Sequence, residues 1–124
     1  PALSDLPGTP LAAAEKARLL VQRAATEETW LDTQLALGRH HEVVPRIWAL
    51  ARQYPLREHV QAQLMLALHT SGDTAGALRA YAAARDALAA EYGASPGPEL
   101  AEIRRCIIAG SPPFASGPAS GEPR

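Results

Sequence analysis

The chain has 124 residues, 47% of them hydrophobic, 20% charged and only 5% aromatic, and its 12 Lys and Arg against 13 Asp and Glu leave a net charge of −1. That length suits one domain with one core, and a balanced charge without a dense basic run excludes a self-sufficient DNA-binding domain, whose affinity comes from neutralising phosphates. The only cysteine is Cys106, which rules out an internal disulfide and a cysteine-based zinc site and fits a reducing cytoplasm, while no apolar run approaches the ~20 residues of a membrane span.

Pro1 to Gly8 reads as an extended, turn-rich entry without an initiator Met or a signal-peptide layout, so the chain is expected to be a piece of something longer. Thr9-Pro10 reads as a helix start, with Thr9 as N-cap and Pro10 at the first helical position, where its missing N–H costs nothing. The helical pattern from Leu11 continues through Leu19, Leu20, Ala24, Trp30, Leu31 and Leu35 to Gly38, as one long helix or two with a break near Thr26. A second helix is predicted from about His41 to Tyr54-Pro55, with Pro45 in or just past its first turn and Val43, Val44, Ile47, Trp48 and Leu50 facing inward.

A third helix, from about Leu56 to Ser71, carries Val60, Leu64, Ala67 and Leu68 at the spacing of one buried face. Gly72 supplies a left-handed C-cap and Asp73 the next N-cap. The fourth helix, Thr74 to Tyr92, should bury Ala77, Leu78, Tyr81, Ala84 and Leu88. After the turn built on Pro96 and Pro98, with Ser95 or Gly97 as cap, a last helix carries Leu100, Ile103 and Ile107 on one face. Residues 111–124 are rich in Pro, Gly, Ser and Ala and are expected to be a disordered tail or linker. Strand patterns are nearly absent, so the fold class is all-α, a stack of antiparallel helical hairpins with about five helices.

Gly38 and Gly72 stand 34 positions apart (72 − 38), the period of a TPR unit. Overlaying the two windows pairs Trp30 with Leu64, Leu31 with Met65, Val43 with Ala77, Ile47 with Tyr81, and Leu50 with Ala84. Each pair keeps apolar character at a helix–helix contact position. The first unit ends at Pro55, whereas the second runs past Ala89 to Tyr92-Gly93, so the pattern describes a short stack with a variant ending, not a long superhelix.

Candidate chemistry is sparse. His40, His41, His59 and His69 form no i, i+4 pair and no His-x-x-Glu cluster, and read as turn and surface histidines. Cys106 has no resolving cysteine and reads as a small core hydrophobe. No phosphate-binding loop, nucleophile motif or paired-carboxylate signature is present, so the chain is read as a non-enzyme with no cofactor and no metal. Glu27, Glu28 and Asp32 on the first helix and Arg39, Arg46, Arg52 and Arg57 on the second and its turns read first as solvated charge. The sharper reading makes them docking surfaces, with Arg39 and Arg57 flanking the second helix. Trp30 and Trp48 read as core, or as interface anchors where exposed.

Three stretches carry a family resemblance: Leu35-Ala36-Leu37-Gly38-Arg39-His40; Tyr54-Pro55-Leu56-Arg57-Glu58 with Gln63-Leu64-Met65-Leu66-Ala67-Leu68; and Glu91-Tyr92-Gly93-Ala94-Ser95-Pro96-Gly97-Pro98-Glu99-Leu100. Over residues 1–110 the chain resembles the bacterial transcriptional activation domain of the SARP family, the actinobacterial regulators of antibiotic gene clusters. The resemblance implies a TPR-like domain that follows a winged-helix DNA-binding domain of the OmpR type, absent here, and that supports activation through RNA polymerase and a second activator subunit. It also implies a further helical pair upstream of Pro1, whose absence would leave Leu11, Leu19, Leu20 and Val21 without cover and promote a homodimer. Some family members continue into a nucleotide-binding module. The alternative is a generic TPR-like peptide-binding adaptor, although a carboxylate clamp needs converging Lys and Asn, and the chain has one lysine, Lys16, and no asparagine.

Overall fold

The computed structural model describes residues 9–111 and contains five α-helices, with no strand among those residues. They are α1 (Pro10–Ala36), α2 (His40–Gln53), α3 (Glu58–Thr70), α4 (Thr74–Tyr92) and α5 (Pro98–Ala109). The entry segment before Thr9 and the tail beyond Ser111 lie outside the described residues. The chain divides into two compact units, Pro1–Trp30 and Leu31–Arg124, and the division falls inside α1.

The first unit contains the N-terminal part of α1. Thr9 caps it as expected, its Oγ1 accepting the Ala12 N–H at 3.1 Å, with Pro10 as the first helical residue. The helix does not break at Thr26. The Thr26 and Thr29 hydroxyls donate back to the carbonyls of Gln22 and Ala25, at 3.0 and 3.1 Å, so both side chains are satisfied within a continuous helix.

In the second unit the 34-residue period reappears as backbone geometry. At the end of α1 the Gly38 N–H donates to Leu35 O and the Arg39 N–H to Gln34 O, at 2.9 and 3.0 Å; at the end of α3 the Gly72 N–H donates to His69 O and the Asp73 N–H to Leu68 O, at 3.0 and 2.8 Å. Both are Schellman-type endings, in which a left-handed residue folds the next N–H back onto the last turn. Gly38 and Gly72 have φ of +80° and +98°, a region that a side chain strains. Asp73 then caps α4, its Oδ1 accepting the Gly76 N–H at 2.8 Å.

The core runs from Leu31 to Ile107 and centres on α3. The sequence assigns α3 one buried face, but burial is unbroken from Val60 to Met65 and resumes at Ala67 and Leu68. A helix covered all round is a central helix, and α3 packs against α2, α4 and α5. Gln61 and Gln63 mask this in the sequence because the amide nitrogen of each finds a partner inside the protein. The Gln61 amide donates to Ala51 O at 3.4 Å and the Gln63 amide to Asp32 Oδ1 at 2.7 Å.

In α2 the buried residues are Val43, Ile47, Leu50 and Ala51. Trp48 departs from the expectation and is 36% exposed. At roughly 100° per residue it stands at the edge of the stripe that those four residues define. In α4, Ala77, Ala84 and Leu88 are buried as expected, joined by Ala80, while Leu78 and Tyr81 are half-buried. The Arg104 guanidinium covers the Tyr81 ring, 5.2 Å from its centroid. Leu100, Ile103 and Ile107 of α5 are buried, and Cys106 joins them with its thiol donating to Glu102 at 3.3 Å.

Candidate protein-interaction site

The residues singled out from the sequence fall into separate places. Leu19, Leu20 and Trp30 belong to the first unit, and Arg39 and Arg57 to the second. Leu11, Leu19 and Val21 are 65%, 50% and 55% exposed, and Leu20 is half-buried. These side chains do not form one stripe, since roughly 100° per residue sets Leu19 and Val21 nearly opposite each other. Trp30 is 41% exposed, whereas its repeat partner Leu64 is buried; the remaining pairs of the overlay are buried or half-buried at both members.

Arg39 stands before α2, donating to Gln34 Oε1 at 2.9 Å. Arg57 is the half-buried N-cap residue of α3. The structural positions serve as turns: Gly38 and Gly72 end helices, Pro98 opens α5, and half-buried Pro96 precedes it. Gly97 rather than Ser95 is the N-cap of α5, and its backbone N–H donates to Glu58 Oε1 at 2.7 Å. That carboxylate ties the start of α3 to the start of α5, standing in for a local cap.

His59 is where the sequence reading fails. It is no idle surface histidine. Its Nε2 meets Asp32 Oδ1 and Oδ2 at 2.9 and 3.0 Å, and its Nδ1 meets Glu99 Oε2 and Oε1 at 3.0 and 3.3 Å. Both ring nitrogens can donate only in the imidazolium form. Partial burial pushes the His59 pKa down, but the hydrogen bond that its ring donates to Asp32 and the charges of Glu99 and Asp32 outweigh it and hold the group above its ordinary value. With both nitrogens engaged by carboxylates, the ring clamps the last turns of α1, the start of α3 and the start of α5. Among the described residues no group of three or more His, Cys, Asp or Glu could hold a metal ion, and none of the helices is long and apolar enough to cross a membrane.

The family model described as the bacterial transcriptional activator domain matches residues 1–108. The chain is 44% identical over 107 residues to the regulatory protein AfsR of Streptomyces griseus, covering 86% of this chain and 11% of AfsR. It is 38% identical over 98 residues to the regulatory protein DnrI of Streptomyces peucetius, covering 79% of this chain and 36% of DnrI. Among solved structures, Mycobacterium tuberculosis EmbR in complex with a low-affinity phosphopeptide matches 90% of this chain and 30% of its own, with a TM-score of 0.81 and 28% identity. The chain thus spans about a tenth of AfsR and about a third of DnrI. A match over residues 1–108 to a single family model, on a TPR-like helical stack, places this chain in the bacterial transcriptional activator domain family of SARP-type regulators.

Proposed function

We propose that this domain is the protein-docking part of a cytoplasmic, DNA-binding activator of an antibiotic gene cluster. It touches RNA polymerase and a second activator subunit, while a separate winged-helix domain holds the DNA. The observation that supports this reading is the exposure of Leu11, Leu19 and Val21 around α1. Three large apolar side chains left in water within about three turns of one helix are surface that a partner can bury.

Sedimentation of the chain across a concentration series tests the self-association. A reversible dimer is expected, and Leu11→Gln with Leu19→Gln shifts it to monomer without unfolding, since both positions are exposed. The same pair in the full-length activator should lower promoter-dependent transcription by purified RNA polymerase. A strict monomer at high concentration, with transcription indifferent to the substitutions, overturns the reading.

A further inference from the structure

A groove of about 410 Å³ lies between α2 and α4, within the second unit. Its floor is largely apolar, with Leu64 of α3, Ala51, Ala80 and Ala84 all buried, and it includes the buried Gln61, whose amide is turned to Ala51 O. Small residues line its α4 side, with Gly76 buried and Ala83 exposed along one wall. Trp48 forms the opposite lip, with the Arg52 guanidinium 5.5 Å from its ring centroid. Arg79 stands on the α4 side. Asp73 is the one carboxylate of the lining, and its Oδ1 is already taken by the Gly76 N–H.

The groove therefore joins an apolar floor to two guanidiniums that have no carboxylate partner among the described residues. Trp and Arg are the side chains most enriched at the energetic centres of interfaces. Arginine left without a counter-charge beside an apolar slot selects an occupant that supplies one. Resting on the docking role above, we infer that the α2–α4 groove binds an acidic, amphipathic segment of a partner protein. Large apolar side chains of that segment enter between Trp48 and Ala83, and its flanking carboxylates pair with Arg52 and Arg79. This is the helix-in-groove mode of recognition, with charge at its rim setting partner choice.

Three short peptides test it: one with Phe and Leu a helical turn apart among glutamates, one with lysines replacing the glutamates, and one with alanines replacing Phe and Leu. Titration into the chain is followed by NMR, at the Trp48 indole and Gly76 amide signals. The acidic peptide should bind about tenfold or more tightly than either control and weaken as salt is raised. R52E/R79E and A83L, all at exposed positions, should each cut binding about tenfold while leaving the helical signal and melting curve intact. Equal binding of the acidic and basic peptides, or variants that bind like the parent chain, overturns the assignment. So does a self-association that A83L abolishes, because the groove's occupant is then a second copy. Dimerisation through α1 that persists while peptide binding fails counts against the groove alone.

Discussion

The His59 clamp makes stability depend on pH in a direction that can be stated in advance. Its folded-state pKa lies above the ordinary 6.5, through the contacts with Asp32 and Glu99. Between the two values the folded chain binds more protons than the unfolded one, so stability falls as pH rises. The contribution is fully present below about pH 6.5 and disappears as pH climbs through the folded pKa. Its size is limited by solvent, because the His59 side chain is 39% exposed and those of Asp32 and Glu99 are 52% and 39% exposed. Two such contacts at about 0.2–1 kcal/mol each make the clamp worth about 1 kcal/mol. Urea unfolding at intervals from about pH 5.5 to 8.5 avoids carboxylate titration and should show that loss in the parent chain. His59→Gln, which cannot carry the charge, should lack this part of the slope. Parallel declines in the two proteins, or a parent chain whose stability rises over this range, would refute the assignment.

Replacing Leu100 by Ala empties a fully buried position where α5 closes the core and should cost about 2–5 kcal/mol, seen as a lower melting temperature. An unchanged melting temperature would mean that α5 is detached. Gly72→Ala places a Cβ at φ +98° and should cost about 1 kcal/mol by urea unfolding even though nothing crowds the site.

The helix ends were readable from the sequence because they are local. Thr9-Pro10, Gly38, Gly72-Asp73 and Pro98 act on backbone groups within a few residues, so residue type alone fixes their role. The buried stripes of α2, α4 and α5 were readable for the same reason. The His59 clamp was not, since its partners lie 27 and 40 residues away along the chain and no pattern around His59 announces them. Gln61 and Gln63 conceal the all-round burial of α3 in a related way. A polar residue signals a solvated face only when its hydrogen bonds go to water, and here they go to Ala51 and Asp32. Hydrophobicity alone places Trp48 inward, whereas its angular position at the edge of the α2 stripe leaves it 36% exposed. The groove itself depends on α2 and α4 standing apart over α3, a long-range outcome that no window of sequence contains.

The all-round burial of α3 alters how far the repeat can be treated as a repeat. In a solenoid each unit touches only its neighbours, and stability is close to a sum over units and junctions, so units can be added or deleted like beads. Here α3 touches its hairpin partner α4 and, on either side, α2 and α5; the contacts are those of neighbours, but in so short a stack one helix joins every unit. Deleting α5 would uncover the helix on which both remaining junctions depend. The second unit should therefore unfold in a single cooperative step, with the α3 amides the slowest in the chain to exchange with deuterium and opening only when the whole unit does.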